Sequence, residues 1–85
     1  MPRPVRVLLF ATAREAAGRA TIDLPVPPEG VPVDLLLSSL GHGHRALAAV
    51  LPDCRVARNG RYVARRGVRI RPGDEVAIHP PYTGG

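Results

Sequence analysis

The chain has 85 residues, 45% of them hydrophobic, with 12 basic and 7 acidic side chains and a formal net charge of +5. That length supports one domain with one thin core, and no stretch approaches the roughly 18 apolar residues of a membrane span. A lone cysteine, Cys54, rules out an internal disulfide and suits a reducing compartment, so a cytoplasmic protein is expected.

Val5 to Phe10 alternates Val5, Val7 and Leu9 against Arg6, Leu8 and Phe10, the period of a strand. Arg6 marks the second set as the outer one, which turns Leu8 and Phe10 outward. The short basic and apolar start MPRPVRVLLFA therefore reads as a strand rather than a signal peptide. ATAREAAG is a turn or short helix ended by Gly18. Ala20 to Val26 alternates again through Ile22, Leu24 and Val26, as a hairpin partner of the first strand. Pro27, Pro28, Gly30 and Pro32 break the chain. Val33 to Leu40 follows as a helix with Val33, Leu36, Leu37 and Leu40 on one face. Asp34 lies in its first turn, where the helix dipole favours a carboxylate. Gly41 and Gly43 interrupt the pattern, and Arg45 to Leu51 forms a second short helix before Pro52.

Cys54 to Arg58 and Arg61 to Ala64 flank Asn59-Gly60, the strongest two-residue hairpin signal. Arg71-Pro72-Gly73-Asp74 carries the residues of a type II turn, and Glu75 to His79 is the last strand. The order is β-β-α-β-β-β, which predicts an α+β chain. A mixed four- or five-stranded sheet would carry one main helix on one face and have the first and last strands in its interior. This is the β-grasp, or ubiquitin-like, arrangement. The predicted domain spans residues 1–79, and residues 80–85 form an extended tail.

Three segments, VLLFATAREAAG (Val7 to Gly18), VARNG (Val56 to Gly60) and PGDEVAIHPPYTGG (Pro72 to Gly85), resemble the small subunit of molybdopterin synthase in order and spacing. The resemblance spans nearly the whole chain, and its last segment, with a proline pair and a terminal diglycine, is the most specific. It implies a sulfur carrier rather than a self-sufficient enzyme. A ubiquitin-activating-like partner would use ATP to adenylate the C-terminal carboxylate. A sulfur donor would convert the adenylate to a thiocarboxylate, and the large synthase subunit would pass the sulfur to a cyclic pterin phosphate to build the dithiolene. No cofactor bound by this chain is implied. His79 stands where the family commonly has an aromatic or aliphatic residue, and Tyr82 where a smaller one is usual.

The residues of the tail fit that chemistry in their own right. Pro80 and Pro81 favour an extended exit that cannot rejoin the sheet. Six residues from Pro80 to Gly85, including Tyr82 and Thr83, reach about 20 Å at roughly 3.3 Å each, enough to thread into another protein. Gly84 and Gly85 lack Cβ atoms, so a narrow channel can close around them. Gly85 is thus the candidate reacting residue, supported by Gly84. The candidate partner contacts are Phe10, Tyr62, His79, Pro80, Pro81, Tyr82 and Thr83, the first three forming a patch if they share the outer sheet face.

Other features point elsewhere only weakly. His42 and His44 lack further ligands for a metal, and Cys54 reads as an inert, partly buried thiol. Seven of the twelve arginines fall between Arg55 and Arg71. No nucleic-acid motif accompanies them, so a solvated sheet edge or an acidic region on a partner explains them better than nucleic acid does. Every basic residue is arginine, whereas an average chain of this length carries roughly five lysines. Two explanations compete: a genome biased toward arginine codons, and the benefit to a protein with an activated carboxyl of having no amine of its own to acylate. The diglycine by itself also suits a sulfur carrier for thiamine, cysteine or tRNA thiolation, or a ubiquitin-like modifier. The Arg14-Glu15 segment and the proline pair favour the molybdopterin pathway.

Overall fold

In the computed structural model, which describes residues 3–81, the first alternating segment becomes strand β1 (Val5–Leu9). Val5, Val7 and Leu9 are buried on one side, and Arg6 is exposed on the other. Helix α1 (Ala11–Ala17) ends on Gly18, whose N–H donates to the Arg14 carbonyl at 2.9 Å. Strand β2 (Thr21–Leu24) returns antiparallel to β1, with Val7 opposite Ile22, as the hairpin pattern predicts.

A feature absent from the predicted order comes next. Strand β3 (Val31–Pro32) pairs with β6 (Arg69–Ile70) as a separate two-stranded sheet. Gly30, just before it, has φ +81°, and a Cβ there would lie 2.6 Å from the Ile70 carbonyl oxygen. Only glycine lets the two segments approach so closely. Arg69 adds a bond from Nη1 to the Gly30 carbonyl at 3.0 Å.

Helix α2 (Val33–Gly43) buries Val33, Leu36, Leu37 and Leu40, the face that the spacing predicts. It runs on through Gly41 and Gly43, where the sequence predicts an interruption. A Cβ at Gly41 would meet the Ala48 Cβ of helix α3 (Arg45–Ala48) at 3.1 Å. Close packing of the two helices thus outweighs the helix cost of a glycine, about 1 kcal/mol. The predicted second helix to Leu51 is also divided: α3 stops at Ala48, and Leu51–Asp53 forms a 3-10 turn with Pro52 inside it.

Strands β4 (Arg55–Arg58) and β5 (Arg61–Val63) flank Asn59 and Gly60, whose φ values of 49° and 86° define the I′ turn expected of that pair. Strand β7 (Glu75–His79) completes a five-stranded sheet of order β2-β1-β7-β4-β5. β1 and β7 lie parallel at its centre with Val7 opposite Val76, and β7 runs antiparallel to β4 with Ile78 opposite Val56. One sheet face packs under α2, where Leu36, Leu40, Val76 and Ile78 are almost wholly buried. Each such side chain stabilises the fold by roughly 1.5–3 kcal/mol relative to exposure. The fold is the α+β, β-grasp arrangement that the sequence predicts.

Candidate partner interface and tail exit

The outer sheet face carries an apolar row set by the register. Leu8 lies opposite Ala77, Ala77 opposite Ala57, and Ala57 opposite Tyr62, so the row crosses β1, β7, β4 and β5. One step toward the C-terminal end of β7, Phe10 and His79 stack face to face, with centroids 4.7 Å apart and planes at 5°. Tyr62 meets His79 edge-on at 5.8 Å and 72°. Phe10 is 40% exposed and Tyr62 56% exposed, while His79 is half-buried between them. The structure therefore brings together the three rings that strand phase assigned to this face. Phe10 is placed by a sharp corner: its carbonyl accepts the N–H of Ala13 at 3.1 Å, and Ala11 turns the chain at φ +50°.

A fourth member of the cluster was not anticipated. The Arg55 guanidinium lies over the Tyr62 ring with Cζ 3.8 Å from its centroid. The signal was available: the Asn59-Gly60 hairpin fixes Ala57 opposite Tyr62, and Arg55 shares the outward phase of Ala57 two residues away.

The tail residues divide. Pro81 is exposed, whereas Pro80 is buried at the end of β7. Arg55 pairs with His79 in an antiparallel ladder, so Pro80 falls beside the buried Cys54. Its ring adds apolar surface there, and its missing N–H costs nothing where the ladder ends. Tyr82, Thr83, Gly84 and Gly85 lie outside the described residues.

Much of the arginine cluster has structural work within the fold. One Nη of Arg65 reaches the carbonyls of Leu51 at 2.7 Å, Pro52 at 3.2 Å and Cys54 at 2.6 Å, satisfying the end of the 3-10 turn. Arg58 Nε donates to Asp74 at 3.1 Å. Asp74 also accepts from the Arg71 backbone N–H at 2.8 Å and from Asn59 Nδ2 at 3.1 Å. Asn59 Oδ1 in turn accepts the Glu75 N–H at 2.9 Å, so the two turns lock together beside β7. Burial pushes the Asp74 carboxyl up, but those three donors and the Arg58 charge outweigh it and hold the group below its ordinary value.

The Cys54 thiol is 5% exposed and donates to the Val50 carbonyl at 3.3 Å. Burial, only partly offset by Arg65, raises its pKa, which makes it a poor nucleophile. His42 Nδ1 contacts the Ser38 carbonyl at 2.8 Å. Among the described residues no group of three or more His, Cys, Asp or Glu side chains is arranged to hold a metal, and no helix is long and apolar enough to cross a membrane.

The ThiS family model matches residues 7–85. The molybdopterin synthase sulfur carrier subunit of Chlamydomonas reinhardtii is 38% identical over 95% of this chain and 98% of its own length. The protein of the same name from Dictyostelium discoideum is 30% identical over the full length of both. The crystal structure of the small archaeal modifier protein 1 of Haloferax volcanii superposes with a TM-score of 0.79 and 30% identity, covering 94% of this chain and 99% of that one.

Proposed function

This chain belongs to the ThiS family, and on that premise we propose that it is the sulfur-carrying small subunit of a molybdopterin synthase. The observation that carries the reading is its end-to-end similarity to the Chlamydomonas and Dictyostelium relatives that bear that name. The cluster of Phe10, His79 and Tyr62 at the exit of β7 supports it, because a partner docked there receives the tail that follows Pro81.

The proposed reacting group is the α-carboxylate of Gly85. A carboxylate is a poor electrophile, since its charge repels nucleophiles and oxide is a poor leaving group. Attack of that carboxylate on the α-phosphate of ATP, within a ubiquitin-activating-like enzyme, forms an acyl-adenylate and releases pyrophosphate. A sulfur donor at the oxidation level of sulfide then displaces AMP and leaves a thiocarboxylate on Gly85. Inserted into the large subunit, the thiocarboxylate sulfur attacks a carbon of a cyclic pterin phosphate and displaces an oxygen substituent. Water then cleaves the resulting thioester, leaving the sulfur on the pterin and returning Gly85 as a carboxylate. This chain supplies the docking face, the reach and a tip without side chains at Gly84 and Gly85. ATP is consumed by the activating partner, and no cofactor resident in this chain enters the scheme.

Similarity to an archaeal modifier favours a second reading, in which the same activated carboxyl acylates lysines of other proteins. One assay separates the two. The chain is incubated with its adenylating enzyme, ATP and a sulfide donor, and the intact mass is followed. The carrier reading expects replacement of one oxygen by sulfur, then dithiolene formation when the large subunit and the pterin are added. The modifier reading expects adducts on other proteins. Deletion of Gly85 should abolish sulfur loading with the melting temperature unchanged. Normal sulfur transfer by the shortened chain would overturn the carrier assignment.

A further inference from the structure

Resting on the small-subunit reading, we propose that Arg55 is the polar anchor of the aromatic face and binds a carboxylate of the large subunit in a bidentate pair. Four arginines of the 55–71 cluster have side-chain contacts within the fold, and three of them are spent on oxygens. Arg58 holds Asp74, Arg65 holds the carbonyls of Leu51, Pro52 and Cys54, and Arg69 holds that of Gly30. Arg55 alone among the four rests on a ring, with no carboxylate or carbonyl partner among the described residues.

The contact over Tyr62, with Cζ 3.8 Å from the ring centroid, is a cation–π contact that uses none of the guanidinium's N–H donors. The contact also restrains a side chain that would otherwise lose much rotamer freedom on binding, so the fork is set before the partner arrives. The surroundings define the ligand. Beside Arg55 run the apolar row of Leu8, Ala77 and Ala57 and the stacked pair of Phe10 and His79. One oriented cation at the margin of an apolar strip suits a protein surface with apolar contacts and one carboxylate at their edge. A phosphate backbone calls instead for several cations tracking a groove. The net charge of +5 adds long-range attraction for such an acidic patch; on this face Arg6 is already paired with Asp23, whereas Arg55 has no carboxylate partner among the described residues.

The test is calorimetric titration of the full-length chain with the large synthase subunit of the same organism. Arg55→Gln should weaken binding by about tenfold or more, because the facing carboxylate is left buried without its partner. Arg55→Lys should recover only part of the loss, since an ammonium has no fork. Arg66→Gln removes the same unit of charge from the exposed segment after β5 and should change affinity by no more than about twofold. Melting temperatures of all three should match the wild type.

Unchanged affinity in a folded Arg55→Gln chain would overturn the proposal, and so would an equal loss in Arg66→Gln, which would reduce the effect to net charge. Displacement of the large subunit by a single-stranded oligonucleotide in wild type but not in Arg55→Gln would assign the fork to phosphate and overturn it as well. If the wild-type chain did not bind the large subunit at all, the small-subunit reading would fall, and this proposal with it.

Discussion

Asp74→Ala removes the carboxylate that joins the Asn59-Gly60 turn to the Pro72-Gly73 turn. Three donors lose their acceptor: Arg58 Nε, Asn59 Nδ2 and the Arg71 backbone N–H. A hydrogen bond to a charged group nets about 1.5–3 kcal/mol when partner and surroundings are well buried. Here the Arg58 side chain is 35% exposed and Asn59 and Arg71 are exposed, so water replaces much of what is lost. The three together should therefore contribute about 2–3 kcal/mol rather than their simple sum. A domain of this size has a total stability of roughly 4–13 kcal/mol, at about 0.05–0.15 kcal/mol per residue. The loss corresponds to a fall in Tm of about 10–20 °C.

The Asp74 effect should also depend on pH with a defined sign. Because the folded carboxyl sits below its ordinary value of 3.8, its contribution is present above that value and drains away as pH falls through the lower folded pKa. Urea unfolding of the wild type and Asp74→Ala at neutral pH and in strong acid measures both quantities. The gap between the two proteins should be widest at neutral pH and shrink in acid. A gap of the same size at both pH values would show that the carboxylate charge does not hold the turns. A gap under about 0.5 kcal/mol at neutral pH would show that water replaces the network entirely.

Phe10→Ala removes the outer ring of the stack on His79 and should weaken binding to the large subunit by roughly 1–3 kcal/mol. Calorimetry showing unaltered affinity, with the melting temperature retained, would take Phe10 out of the interface. Gly41→Val forces a branched side chain against Ala48 of α3 and should destabilise the domain by about 1–3 kcal/mol in urea. An unshifted midpoint would mean that α3 moves aside freely.

The main sheet was legible because its strands are half-buried. Val5, Val7 and Leu9, and likewise Val76 and Ile78, repeat with period two, while Asn59-Gly60 fixes the register of β4 against β5. β3 and β6 were not legible, since two residues carry no period and Pro32 argues against a strand. The length of α2 was hidden for a different reason: Gly41 breaks helices by propensity, and only its contact with Ala48 explains its place inside one. For the candidate interface, strand phase was enough to place Phe10, Tyr62 and His79 on one face. The ring contact of Arg55 needed the register, and the burial of Pro80 needed its neighbour across the ladder. An arginine run read as a surface property proved to contain caps, a turn clamp and a ring contact, distinctions that only the acceptors around each guanidinium reveal.

The position of β7 also has a mechanical consequence. Its C-terminal end leads to the tail, and the strand is flanked on both sides, by β1 in parallel and by β4 in antiparallel register. Tension applied at the tail and resisted at the start of β1 pulls the two parallel strands along their length in opposite directions. The inter-strand hydrogen bonds then bear the load together in shear, instead of opening one at a time as at a peeled edge. A strand at the margin of the sheet would strip away under the same tension. The tail thus follows a strand held on both sides, and any pull on it would work against the whole sheet, with the β-grasp core as the anchorage.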